Sequence, residues 1–255
     1  MSLSLLAVFA HPDDESFGPA GTLSKYARAG VRVSLVCATR GEAGKTGDPP
    51  VCRQEELGQV REQELRCAAE VLGIRDLIFL GYRDQQLDLS DREEATGKIV
   101  RAVRVLRPQV MITFGPDGIS GHRDHVAIHH LATAAFRAAG DRGKYPEHLG
   151  EGLWPWTPQK LYYVAPSWRL MAALKREWPS GLEREITTVI EVGDFLDLKR
   201  RALECHRTQN VSVRKYMDLR RDDFRRWVSK EYFRLAESHV GRPEGVEDDL
   251  FRGLR

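Results

Sequence analysis

Two short stretches concentrate the ionisable residues of this chain. AHPDDE (Ala10 to Glu15) places His11 beside Asp13, Asp14 and Glu15, and GPDGISGHRDH (Gly115 to His125) brings Asp117, His122, Asp124 and His125. Imidazoles and carboxylates are the ligands of a catalytic zinc, which takes about three protein groups and keeps a position open for water. Two histidines and one carboxylate drawn from the two stretches supply that set. The remaining carboxylates are then free to move protons. The same set with open positions also suits ferrous iron. His129 lies four residues beyond His125 and would share its helical face, so an i, i+4 ligand pair competes with a packed or solvated histidine. For Asp13 and Asp14 the competing role is capping a helix that begins near Phe17. Glu15 is open between support and capping.

The elements around these stretches indicate an α/β fold, with a mostly parallel sheet flanked by helices. LSLLAVFA (Leu3 to Ala10) has the length and composition of a buried strand. Further strands are expected at Val31–Thr39, Leu77–Leu80, Val110–Phe114, Lys160–Val164 and Thr187–Val192. Helices are expected at about Ala20–Ala29, Arg53–Leu72, Asp91–Leu106 and Asp124–Ala139, with Asp91 as an N-cap and Gly30 and Gly73 at C-caps. The alternation is that of βαβ units. Both ionisable stretches follow strands, where open parallel sheets bind ligands. If the two strands are neighbours, the stretches face one crevice.

Beyond about Gly140 the pattern is less regular. The chain is read as one domain over 1–255, with a core over about 1–140 and an extension over about 141–255. FLDLKRRALECHRTQ and DDFRRWVSKEYFRLAES read as charged helical segments, and GRPEGVEDDLFRGLR as a loosely held tail. The aromatic LWPWTP segment (Leu153 to Pro158) is a candidate wall for a sugar pocket, or core.

Composition narrows the function classes. Hydrophobic residues are 42% and charged residues 30%, with a net charge of +2, so no global field argues for nucleic acid or a membrane surface as partner. No apolar stretch reaches the roughly 18 residues needed to span a bilayer. The four cysteines form no C-x-x-C pair, Cys37 falls in an apolar strand, and no secretory leader is read. The expectation is a reduced, cytoplasmic protein. A dinucleotide-binding module would carry G-x-G-x-x-G after the first strand; AHPDDE stands there instead.

AHPDDE followed by G-H-x-D-H resembles the LmbE/PIG-L family of zinc-dependent N-deacetylases. RGEAG (Arg40 to Gly44), REQELRCAAEVLG (Arg61 to Gly73), LGYRDQQL around Asp84, and KRRALECHRTQ (Lys199 to Gln209) extend the resemblance in the family's order. It implies a Rossmann-like fold and hydrolysis of an N-acyl bond, most often acetyl, on an N-acetylglucosaminyl or related small substrate. A thiol–sugar conjugate amidase of the same family is the alternative, and a metal-binding protein without turnover is the reading from a different class. Carried over by position, His11, Asp14 and His125 hold the zinc, with ferrous iron open. Asp13 is the general base, a cationic His122 stabilises the oxyanion or protonates the leaving amine, and Asp124 orients His122. Arg61, Asp84 and Glu42 lie in the substrate pocket. His206 is open between packing and function. Homo-oligomers are also implied.

Overall fold

The computed structural model describes residues 2–166, 185–217, 228–242 and 244–254. Its first strand, β1 (Ser4–Phe9), is buried along its whole length. That is the pattern of a central parallel strand with both faces covered. β2 (Arg32–Thr39) and β4 (Val110–Phe114) pair with it in parallel on either side, and β3 (Asp76–Tyr82) and β5 (Lys160–Ala165) extend the sheet outward. β6 (Thr188–Glu191) and β7 (Lys230–Ser238) complete a seven-stranded sheet in the order β3-β2-β1-β4-β5-β7-β6, with β7 antiparallel to both its neighbours.

The helices form two groups about the sheet. α2 (Ala20–Arg28), α3 (Leu57–Leu72) and α7 (Leu196–Cys205) pack together, and α4 (Arg92–Leu106) packs on α5 (Arg123–Ala138). Shorter helices are α1 (Asp14–Phe17), α6 (Glu147–Gly150) and α8 (Asn210–Met217). The Asp91 side chain accepts from Glu94 N at 2.9 Å and starts α4. α3 ends at Gly73 in a left-handed conformation, φ 76°. At the front of α2, the amides of Gly21 and Thr22 donate to Glu231 of β7 at 3.0 and 2.7 Å. The same carboxylate pairs with buried Lys199 at 2.8 Å.

Three expectations change here. Lys230–Ser238, expected within a helix, is a strand whose Glu231, Phe233 and Leu235 are buried at alternate positions. That period of two is a strand's. Positions 222–227 of the same expected helix lie outside the described residues. The C-terminal run is not a loose tail. Leu250 and Phe251 are fully buried, and Glu247, also inaccessible, takes Lys160 Nζ and the Tyr162 hydroxyl, each at 2.7 Å. Its backbone brackets Thr188 at one edge of β6, from Glu247 N to Thr187 O and from Val189 N to Glu247 O, each at 2.8 Å. A lysine buried in β5 needs a buried counter-charge, and the tail supplies it. Finally, Cys67 of α3 and Cys205 of α7 form a disulfide, so the expectation of fully reduced thiols does not hold. The two positions are 138 residues apart and meet only because α3 packs on α7. Cys37 is a free, buried core residue, as expected.

Candidate active site

β1 and β4 are direct neighbours, with Ala7 opposite Ile112, and β2 lies on the other side of β1. The strand order therefore reverses between β1 and β4, and a crevice opens at their carboxyl ends. AHPDDE and GHRDH enter it from opposite sides. The short α1 begins at Asp14, and α5 begins one residue after His122.

Three donors converge there. Nδ1 of His11 lies 3.2 Å from Nε2 of His125. Asp14 reaches both, with Oδ1 3.3 Å from His125 Nε2 and Oδ2 3.8 Å from His11 Nδ1. Ligands about 2.0–2.1 Å from a tetrahedral ion stand roughly 3.3 Å apart. The two histidine nitrogens, and Asp14 Oδ1 with His125, stand at about that spacing, while Asp14 meets His11 through its other oxygen. His122 also comes close: donor atoms of His11, His122 and His125 lie within 4.8 Å of one another, as do those of His11, Asp84 and Asp124.

Each donor is held from behind. Nε2 of His11 is 3.0 Å from Asp84 Oδ1 and 3.1 Å from Asp124 Oδ2. Those carboxylates are themselves fixed by backbone amides, Asp84 by Ala43 N at 3.1 Å and Asp124 by Gln85 N and Leu87 N at 2.7 and 3.1 Å. Asp14 Oδ2 accepts from His11 N at 2.8 Å. Nδ1 of His125 is 3.1 Å from Gly118 O, and its ring stacks on Phe114. Gly118 has φ +60°, and a Cβ there would come within 2.7 Å of His125 Cβ. The position requires glycine.

The charges interlock. Burial opposes the His11 imidazolium, but the hydrogen bonds it donates to Asp124 and Asp84 and the charge of Asp14 push its pKa up to about 10. Burial likewise opposes the charged form of His125, and Asp14 outweighs it and raises its pKa. Asp14 is buried too, yet His125 and His11 hold it well below the usual carboxylate range. A nest of carboxylates thus favours the protonated form of both histidines, the response of a site built for a cation.

Asp13 stands apart from its neighbour. Burial, with repulsion from Asp14 added, pushes its carboxyl up to about 6, against the pull of Arg61. Its backbone is at φ 118°, ψ −22°, a region that non-glycine residues rarely enter. Arg61 grips this turn, with one guanidinium nitrogen on Pro12 O and 3.2 Å from Asp13 Oδ2 and another donating to Gly41 O at 2.9 Å.

The sequence as a whole has close counterparts. The family model PIG-L: GlcNAc-PI de-N-acetylase matches residues 6–136. A 1D-myo-inositol 2-acetamido-2-deoxy-alpha-D-glucopyranoside deacetylase of Streptomyces scabiei is 34% identical over 98% of this chain and 89% of its own. The chain belongs to the PIG-L family. A mycothiol S-conjugate amidase of Streptomyces coelicolor is 33% identical over 99% of this chain and 98% of its own. Among solved structures, an N,N'-diacetylchitobiose deacetylase from Pyrococcus horikoshii shares the fold, with a TM-score of 0.71, 23% identity, and coverage of 91% and 83% of the two chains.

In this PIG-L protein, several side chains stand elsewhere than the sequence suggested. The Asp124 carboxylate is engaged with His11; it meets His122 only through its backbone, whose N–H donates to His122 Nδ1 at 3.2 Å. That bond leaves the proton of a neutral His122 on Nε2. Burial, then repulsion from His11 and His125, lowers the pKa of His122, so a neutral ring replaces the expected cation. Arg61 and Asp84, expected to grip substrate, are buried and turned to Asp13 and His11. Glu42 accepts from Asp84 N at 3.0 Å and fixes the loop after β3. His129 is outside the cluster, its Nδ1 2.9 Å from Phe114 O and its ring against Tyr163. Trp156 donates to Pro108 O at 2.7 Å, before the start of β4 and so at the end of the sheet away from the crevice. A motif read along the chain identifies groups near a site but not which way each turns.

Proposed function

We propose that this protein is a zinc-dependent hydrolase that removes an N-acyl group, acetyl in the first instance, from an N-acetylglucosaminyl or related small amide. His11, Asp14 and His125 would hold the ion, and ferrous iron is the second candidate. When bound, the ion supplies a Lewis acid and lowers the pKa of a coordinated water towards about 7. Asp13 takes the proton of the attacking water; a carboxyl raised to about 6 is matched to that task near neutral pH. His122 presents Nε2–H to the oxygen that becomes negative as the acyl carbon turns tetrahedral. Asp84 and Asp124 keep His11 in one orientation. Arg61 holds the loop that carries the base.

The observation that supports this most is the separation of Asp13 from Asp14. One carboxylate lies on the two histidines, and the other, adjacent in sequence, is held off them by Arg61. A protein that only stored metal would not need the second. The relatives suggest both the deacetylase and the thiol–sugar amidase, which would use the same machinery on different amides. The proposal further includes a single domain, a cytoplasmic location and a homo-oligomer.

The deciding experiment measures amine released from a panel of N-acetylglucosamine conjugates, N-acetylglucosaminyl inositol and a cysteinyl amide of the same sugar among them, with metal analysis of the same preparation. Release that tracks the content of one divalent ion per chain is expected. Metal-independent release, or none across the panel from metal-loaded protein, would overturn the reading.

A further inference from the structure

Behind Asp13, on the side away from the crevice, lies a cluster that the proposed chemistry does not use. Glu15 and His206 are both buried, at 1% and 0% exposure, so neither can touch a substrate. His206 Nε2 is 2.9 Å from Glu15 Oε1. Ser16 donates its hydroxyl to the same oxygen at 2.5 Å. The other oxygen, Oε2, accepts from the backbone N–H of Asp13 at 3.1 Å. This is the peptide nitrogen of the residue at φ 118°.

A non-glycine residue in such a conformation costs on the order of 1–3 kcal/mol and persists only where its surroundings enforce it. Asp13 is enforced from two sides. Arg61 holds the carbonyl before it and its side chain, and Glu15 holds its amide. We propose that Glu15 and His206 are positioning residues for Asp13, a buried pair that fixes the backbone from which the base is aimed. The inference rests on Asp13 acting as the base, as argued above.

The pair is specific in its chemistry. An ionised carboxylate only accepts, and three donors converge on Glu15: Asp13 N–H, Ser16 O–H and the Nε2 side of His206. A glutamine would turn an NH2 group onto either Asp13 N–H or the Ser16–His206 pair. Among the described residues His206 has no hydrogen-bond partner at Nδ1, and its contact with this cluster is through Nε2. It follows directly on Cys205, whose disulfide ties the end of α7 to α3, the helix that carries Arg61. Arg61, and His206 behind Glu15, thus stand on one cross-linked helix pair.

The test is a double-mutant cycle with a structural arm. Glu15→Gln should lower kcat about 10²-fold, the scale of a misplaced catalytic group, with KM and metal content within about twofold of wild type. In an Asp13→Asn background the same change should cost less than about threefold, because residues that act as one unit are not additive. Equal losses in both backgrounds, or loss of metal, would mean general damage and overturn the proposal. His206→Ala and His206→Gln form a second arm should Glu15→Gln not fold: the alanine should lower kcat and the glutamine, which keeps a donor, should restore most of it. Equal activities in the two variants count against the pair. Should wild type release no amine, the function proposed above fails on its own. The crystal structure of Glu15→Gln then decides this inference: Asp13 should leave positive φ with α1 intact, and an unmoved Asp13 refutes it.

Discussion

Asp124 Oδ2 lies 3.1 Å from Nε2 of His11, a residue 113 positions away. The contact crosses from the start of α5 to the end of β1 and fixes which nitrogen of His11 faces the other donors. Asp84 does the same from the loop after β3, at 3.0 Å. Carboxylates placed behind a ligating histidine typically alter metal affinity 10- to 100-fold. Asp124→Asn is therefore expected to weaken zinc binding by about that factor while the fold is kept. Competition with a chromophoric chelator measures it. Unchanged affinity in both Asp124→Asn and Asp84→Asn would show that His11 needs no such support.

Asp13 and Asp14 should separate cleanly. Asp13→Asn is nearly isosteric and loses only the basic oxygen, so metal should remain while kcat falls roughly 10²- to 10⁴-fold, the range for a general base. Asp14→Asn should lose metal, since a neutral amide oxygen is a poorer ligand than a carboxylate. Metal content and rate on both variants decide it, and equal metal loss from the two rejects the division. The division comes from the backbone: Asp13 is outside the helix at φ 118° and Asp14 is the first residue of α1. A simple alternation along an extended turn does not describe it.

Much of the site was legible because its parts are local in sequence. His11 and Asp14 are three apart, His122 and His125 likewise, and each pair follows an apolar run that could only be a strand. The rule that ligands gather at strand ends then placed both in one crevice. What could not be read were contacts between distant elements. Nothing local marks Asp84 and Asp124 as partners of His11, or Cys67 as a partner of Cys205. Lys230–Ser238 misled because charges spaced along it fit a helix, whereas antiparallel pairing with β5 decides its state. The tail misled because Glu247 is recognisable as core only once Lys160 is known to be buried.

Metal binding should release protons. Without an ion, the pKa of His11 is raised to about 10, so at pH 7 it carries a proton that an ion must displace, and the raised pKa of His125 adds to the release. Affinity should therefore rise with pH through the neutral range, and fall as acid restores both imidazolium ions. Zinc titration at pH 7 in two buffers of different ionisation enthalpy gives the count. About one proton per ion or more is expected; a count near zero contradicts the raised pKa of His11.

His122 should matter for turnover more than for metal. Its Nδ1 is occupied by the Asp124 amide, leaving Nε2–H for the reacting oxygen. His122→Ala is expected to lower kcat by about 10²–10³, the usual effect of losing an oxyanion donor, with metal affinity kept within about threefold. Activity recovered by excess zinc would make it a ligand instead.

The buried end of the chain holds an ion pair of its own. Lys160 and Glu247 lie 2.7 Å apart at 2% and 0% side-chain exposure, and the Tyr162 hydroxyl and Thr188 Oγ1 complete the carboxylate's bonds at 2.7 and 3.1 Å. Removing one member of such a pair leaves a charge in a place water cannot reach, which costs about 3–5 kcal/mol. Replacing both by apolar groups of similar volume removes the two desolvation penalties together and is often close to neutral. Glu247→Ala should therefore lower unfolding stability by about 3–5 kcal/mol, whereas Lys160→Met with Glu247→Leu should recover most of the loss. The site is distant in sequence from every proposed ligand, so metal affinity of the folded variants should not move. Urea unfolding of the metal-free proteins measures the first effect and chelator competition the second. A Glu247→Ala variant within 1 kcal/mol of wild type would return the C-terminal run to the loose tail that its composition suggests.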